Sequence, residues 1–295
     1  MANQYEMVTA RIVAQLEAGV RPWAQGWVGG ATRRPLRSAG VPYRGINRLW
    51  LAFAASERGF RSPYWVTFKG ALALGGAVRK GAKSEPAFYA GSGVAMRDGA
   101  EGMAEEHRFR FLKSYRVFNA DECDGLPEHM RGVEPPEVQT EAPIAICDAF
   151  VSHTGARIDH GGGSAFYMPS DDRIAMPEFR RFRTAADYYG TLFHELGHWT
   201  GAKHRLDRVL SPERQAYAAE ELVGELCSAF LCGDLGADAD PRESHAAYIA
   251  SWLKWLRSDP RAIFAAASLA ERAAAFLHAL QPGAEAQATE AEEAA

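Results

Sequence analysis

Apolar positions at helical spacing open the chain: Tyr5, Val8, Ile12 and Leu16 predict an amphipathic helix over 3–18, ended by Gly19. The period returns at Ile46, Leu49, Trp50 and Phe53, predicting a second helix to about Arg58 that Gly59 stops. The pattern then shortens. Residues 86–90 and 108–118, where Phe109, Phe111, Tyr115 and Val117 alternate imperfectly with basic residues, predict strands. The glycine-rich 91–107 between them reads as a hairpin or loose loop. Residues 121–141 mix acids with Pro127, Pro135 and Pro136, show no period, and predict a linker. Beyond it, Ile144–Val151 predicts a helix, and 164–169 and 173–177 predict two strands around the turn Ser170-Asp171-Asp172. Four helices follow. Thr184 and Ser211 N-cap the first two, Asp240-Pro241 opens the third, and Asp259-Pro260 opens the last, which ends before Pro282. The layout is α+β in two domains, 1–120 and 142–282, with the Ala/Glu-rich 283–295 expected to be disordered.

Charge sharpens this division. The net charge of −4 conceals 18 Lys/Arg against 8 Asp/Glu over residues 1–118, and 15 against 29 over 119–295. A basic half joined to an acidic half predicts two tasks, one of them on a polyanion. The basic half interleaves aromatics with cations in irregular stretches, as a single-strand binder needs in order to stack bases and track phosphates. The candidate DNA-binding residues are Trp23, Trp27, Tyr43, Arg44, Asn47, Tyr64, Trp65, Phe68, Lys69, Arg79, Lys80 and Lys83. A domain of this size must also bury aromatics, so these residues compete with the core, to which Trp50 and Phe53 are assigned. No pair of clustered acids of the usual two-metal kind lies in the basic half, which argues against nuclease chemistry there. Cys123, Cys147, Cys227 and Cys232 lack C-x-x-C spacing and read as reduced thiols of a cytoplasmic protein. No signal-peptide pattern and no run of about 18 apolar residues is found, so no membrane span is expected.

The chemistry is concentrated in His194-Glu195-Leu196-Gly197-His198. Residues four apart on a helix share a face, so the two imidazoles meet at one point, with Glu195 beside them as general base for a metal-activated water. Zinc is the expected metal, another divalent transition metal the alternative. The stretch is framed as a helix by Thr184 and Asp187 at one end and by Gly201 at the other, with Tyr188, Leu192, Phe193, Leu196 and Trp199 as its apolar surface.

A catalytic zinc takes a third protein ligand. His204 completes the longer metzincin string, but that class needs a downstream methionine, and the last one here is Met176, upstream. The next helix places Glu221 and Glu225 on one face among Leu222, Val223, Leu226, Phe230 and Leu231. Gly224, Ser228 and Cys232 would let that face approach another helix closely. Glu221-Leu-Val-Gly-Glu225 resembles the E-x-x-A-D of glutamate zincins. The resemblance implies Glu221 as ligand and Glu225 as acceptor for a ligand imidazole N–H, with Glu225 or His204 as the alternative ligand. Tyr167 or Tyr217 could donate to an oxyanion.

Taken together, these blocks resemble the ArdC-type antirestriction proteins of conjugative plasmids. The N-terminal blocks are Leu16-Glu-x-Gly-Val-x-Pro-Trp23, Tyr43-Arg-Gly-Ile-Asn47, Trp65-x-Thr-Phe-Lys69, Gly76-x-Val-Arg-Lys-Gly81 and Val117-Phe-Asn119. The C-terminal ones are Ile174-Ala-Met-Pro177, His194–Gly201, Arg205-Leu-Asp-Arg208 and Glu220–Glu225, with Gly224 where alanine is usual. The resemblance implies a single-stranded-DNA-binding domain followed by a zincin-like, gluzincin-type metallopeptidase domain. It also implies a protein that protects incoming DNA from host restriction, with a host restriction component as a conceivable peptide substrate. Two rivals stand beside it: a non-enzymatic DNA-binding protein whose metal is structural, and a replication or primase accessory factor.

Overall fold

A computed structural model describes residues 4–25, 34–98, 104–132, 145–208, 214–237 and 246–284. Helix α1 (Gln4–Glu17) buries Val8, Thr9, Ile12 and Leu16, the stripe that the sequence period marks out. After the short α2 (Pro22–Gln25) and β1 (Leu36–Arg37) comes α3 (Ile46–Arg58). It ends where Gly59 turns left-handed at φ 67°, a conformation that glycine enters without steric cost. Strand β2 (Tyr64–Val66) leads into α4 (Phe68–Ala73), whose N-cap Thr67 accepts a hydrogen bond from the Gly70 N–H. The two-residue β3 (Ala77–Val78) precedes the long strands β4 (Glu85–Asp98) and β5 (Ala104–Asn119). These extend the predicted strands at the expense of the predicted loop and pair antiparallel along their whole length, Glu85 opposite Val117 and Asp98 opposite Ala104. The sheet order is β1-β2-β5-β4.

The stretch read as a linker is folded in its first part. Strand β6 (Cys123–Asp124) pairs with β3, and Leu126 and Met130 are buried with Val66 and Ala71 in a small second core. Proline and acid content concealed this, because isolated apolar residues on a turn carry no period. Residues 133–141 of the linker, and 285–295 of the tail, lie outside the described residues.

In the C-terminal half, α5 (Ala145–His153) is followed by a three-stranded sheet of order β7-β9-β8, made of β7 (Arg157–His160), β8 (Phe166–Met168) and β9 (Arg173–Met176). Strand β7, parallel to β9, carries too few apolar residues to stand out in the sequence. Helices α6 (Ala185–Trp199), α7 (Arg214–Leu235), α8 (Ala246–Ser258) and α9 (Ala262–Ala279) complete the half. Helix α9 is long and apolar enough, by length and composition, to cross a membrane, though Glu271 and Arg272 interrupt its apolar run. Its Ile263, Ala266, Ala270, Ala273 and Leu277 are buried in the core.

That core is continuous across both halves. Val8, Trp23, Trp50 and Phe53 belong to the same buried cluster as Phe193, Phe230, Trp252 and Ile263. Trp23 meets Trp252 edge-on at 5.6 Å between ring centroids, and Tyr5 and Phe88 each meet Phe264. A polar cluster crosses the same boundary. Arg48, fully buried on α3, reaches Asp234 at 2.8 Å and Glu271 at 3.7 Å, while Arg34 pairs with Glu271 and His278 lies 3.0 Å from Asp234. Burial pushes the Arg48 guanidinium down from its ordinary value, and the adjacent carboxylates oppose that shift.

A candidate metal centre

Helix α6 begins as its sequence dictates: the Thr184 hydroxyl accepts from the Asp187 N–H at 3.1 Å. The far end departs from expectation. Thr200 stays right-handed, and the C′ glycine has a different use. A Cβ on Gly201 would stand 3.0 Å from a guanidinium nitrogen of Arg208, so the glycine admits that side chain. Helix α7 crosses α6 at glycines on both sides. A Cβ on Gly197 would lie 3.3 Å from the Gly224 Cα, and the Ser228 hydroxyl donates to Gly190 O across the same contact at 2.7 Å.

This crossing brings three donor side chains together. The His194 and His198 Nε2 atoms stand 3.0 Å apart, and the Glu221 carboxylate oxygens lie 3.6 Å from each of them. One donor atom from each residue falls within 4.8 Å of the others. The set suits a divalent cation, since two nitrogens ~2.0–2.1 Å from a tetrahedral ion stand roughly 3.3 Å apart. Gly224 forms the floor: a Cβ there would come within 3.0 Å of both imidazoles.

Each histidine is braced from its other nitrogen. His198 Nδ1 lies 3.2 Å from Glu220 Oε1, and Arg208 holds Glu220 through contacts of 2.8 and 3.1 Å while also bonding Thr200 Oγ1 and Gly197 O. Glu225 Oε1 lies 3.6 Å from His194 Nδ1, and its other oxygen is 3.2 Å from Arg21, which comes from the N-terminal half. Burial alone would push His198 down, but the Glu220 hydrogen bond and the charges of Glu195, Glu220 and Glu221 outweigh it and hold the imidazole above its ordinary pKa. Burial would likewise raise Glu220, yet His198 and Arg208 bring it below the usual carboxylate range. Carboxylate braces of this kind orient ligand imidazoles. Glu220, Arg208 and Arg21 were missed as functional residues from sequence. The first two stood within the recognised blocks, but nothing in sequence spacing shows that Arg21 meets Glu225.

Glu195, the general-base candidate, is buried beside the cluster, and its carboxylate accepts the Tyr167 backbone N–H of β8 at 2.9 Å. The Tyr167 hydroxyl is committed to Asp172 at 3.0 Å, and Arg205 forks onto the same carboxylate while stacking 3.5 Å over Trp199. Tyr217 is exposed on α7. His204 is exposed and paired with Asp172 at 3.5 Å, outside the donor cluster, which removes it as the third ligand.

The DNA-binding candidates divide. Trp23, Tyr43 and Trp65 are buried in the core and have no face to offer a base, which corrects their assignment. Asn47 is structural too: its amide bonds both the N–H and the C=O of Phe88, at 2.6 and 2.7 Å, and so ties α3 to β4. Tyr64 is half-buried with its ring edge-on to His129. Arg44, Phe68, Lys69, Arg79, Lys80 and Lys83 are exposed, Arg79 pairing with Asp124. Trp27 lies outside the described residues. Alternation of aromatics with cations could not separate core from surface, because a tryptophan in a loop looks the same whether it packs inward or outward.

Residues 2–118 match the family described as the N-terminal domain of anti-restriction factor ArdC, and residues 145–269 match a zincin-like metallopeptidase family. The uncharacterized protein y4eC of Sinorhizobium fredii (strain NBRC 101917 / NGR234) is 42% identical over 293 residues, covering 95% of this chain and 93% of that protein. Two Escherichia coli proteins named DNA primase TraC are 37% and 36% identical, but the chain spans only 27% and 19% of their length. The metal-free crystal structure of antirestriction protein ArdC from plasmid R388 aligns with a TM-score of 0.81 at 43% identity, covering 95% of this chain and 98% of that one. Its Mn(II)-bound structure aligns at 0.77 and 40% with the same coverage.

Proposed function

The chain belongs to the ArdC-type antirestriction family, and from that premise we propose that it protects incoming DNA from restriction, binding single-stranded DNA and hydrolysing a protein at the α6–α7 metal centre. The observation that carries the peptidase part is the convergence of His194, His198 and Glu221 beside a buried Glu195. Bound there, a divalent metal, in our reading zinc, would supply Lewis acidity toward water and a peptide carbonyl. The chain's own residues do the rest. Glu195 accepts a proton from the attacking water and returns it to the leaving amine nitrogen. Strand β8 is an edge of its sheet, and its Tyr167 N–H already reaches Glu195, so an extended peptide lying along that edge presents its carbonyl beside the base. Glu220 and Glu225 hold the imidazoles in register, and Arg205 with Asp172 fixes β8 against the end of α6. The protein substrate we favour is a host restriction component. The four cysteines are free thiols, which supports a cytoplasmic setting.

Glu195→Gln tests this directly. The variant should keep its metal and its fold, and lose antirestriction activity and peptide cleavage by about 10²–10⁴-fold. A variant equal to wild type in both assays would leave the metal a structural role and remove the catalytic reading.

A further inference from the structure

The long β4–β5 hairpin carries an aromatic face that the core does not use. Tyr89, Phe109 and Tyr115 are 58%, 42% and 37% exposed, and Phe111 is half-buried between them. The register places all four on one face: Tyr89 opposite Lys113, Gly91 opposite Phe111, Gly93 opposite Phe109 and Ala87 opposite Tyr115. Ring centroids run 6.1 Å from Tyr89 to Phe111 and 6.2 Å from Phe111 to Phe109. The glycines make this arrangement. A Cβ on Gly91 would stand 2.5 Å from the Phe111 ring, and one on Gly93 2.7 Å from the Phe109 ring. Each phenyl therefore lies across the opposite strand with its outer face turned to solvent.

A contiguous row of exposed rings is uncommon on a soluble surface and marks a binding surface. Cross-strand cover of glycine accounts for two of the rings, and Tyr115 hydrogen-bonds the buried Tyr43, but neither accounts for the exposure of Tyr89. Lys113 Nζ stands 4.9 Å above the Phe111 ring on this face, and Lys83 is exposed at the hairpin root.

We propose that this face is a stacking platform for single-stranded nucleic acid, with bases on Phe109, Phe111 and Tyr89 and the phosphates passing Lys113 toward the root. The proposal rests on the single-strand reading above and gives it a site that the buried Trp23, Tyr43 and Trp65 cannot provide. The ring spacing is about twice the ~3.4 Å per nucleotide of a stacked strand, so successive rings suit the separated bases of an unwound strand.

The experiment is fluorescence anisotropy of a labelled oligothymidine with the full chain across a salt series. The variants are Phe109→Leu/Phe111→Leu, which keeps aliphatic cover over the glycines, and Phe109→Trp/Phe111→Trp. The leucine pair should weaken binding at least tenfold, with thermal unfolding and metal uptake unchanged. The tryptophan pair should restore binding, and its added fluorescence should be quenched by the oligonucleotide. Wild-type binding that the leucine pair leaves intact overturns the platform while the single-strand reading stands. A wild type that binds no single strand overturns both. A wild-type dimer that the leucine pair dissociates, with oligonucleotide binding unaffected, makes the face a protein interface and overturns the platform alone.

Discussion

Glu221 and Glu225 sit one turn apart on α7, and which imidazole nitrogens each faces separates their roles. Glu221 faces both Nε2 atoms, whereas Glu225 faces Nδ1 of His194 alone. Glu221→Ala should therefore abolish tight divalent-metal binding in a chelator-competition titration. Glu225→Ala should weaken it by about 10–100-fold, and His204→Ala should leave it unchanged. A loss with His204→Ala equal to that with Glu221→Ala would show that the ligand set is wrong. The donor types and their one-turn spacing were legible in the sequence. The nitrogen that each carboxylate meets was not, because it depends on how α7 is rotated against α6.

The helix crossing is the element on which the centre depends, and it rests on side chains that are missing. Gly197 and Gly224 allow backbone approach, with the Cys227 Cβ also 3.3 Å from any Cβ placed on Gly197. Gly197→Leu should force the helices apart, costing about 1–3 kcal/mol in denaturant unfolding and lowering metal affinity with it. Stability lost with metal affinity intact would mean that the donors can re-form across a wider crossing. Arg208 acts through the same element, since it joins the loop after α6 to Glu220 on α7 with two contacts to one carboxylate. Arg208→Lys retains the charge but not the fork, and should weaken metal binding by about tenfold. The Thr184 N-cap and the Gly59 stop were legible because they depend on neighbours in sequence. Strand β7 and the packed part of 121–132 were not, since their stability comes from partners far along the chain.

At the scale of the molecule, the halves share a core and a buried charge cluster, and Arg21 from one half braces a histidine in the other. Arg21→Ala should reduce metal affinity although it lies far from the motif in sequence. The fragment 145–284 should bind metal more weakly than the whole chain, as measured by calorimetry. Asp234 gives the pH dependence. Burial alone would raise its pKa, but Arg48 and His278 outweigh that and bring it below its ordinary value. The unfolded-state value is thus the higher one. The stabilisation is fully present above about pH 4 and is lost as pH falls through the lower, folded-state pKa. Asp234→Asn should lower neutral-pH stability by roughly 3 kcal/mol, because it leaves Arg48 buried with one carboxylate fewer. The gap to wild type should narrow on acidification, as followed by chemical denaturation from neutral to acid pH. A gap constant with pH would show that the aspartate is not ionised in the fold.

By itself the sequence determined what depends on near neighbours and on residue chemistry. That covers the capped helix that sets His194 and His198 on one face, the adjacent base, the carboxylates one helix later, and the asymmetry of charge. The tertiary structure decided what depends on orientation across the core. It turned Trp23, Tyr43 and Trp65 inward and left Tyr89, Phe109 and Phe111 outward. It also brought Arg21 to Glu225 and joined two compositionally distinct halves through one interior. The physical reason is that composition and period report how much a segment must bury, while the partner that buries it is fixed only when distant segments pack.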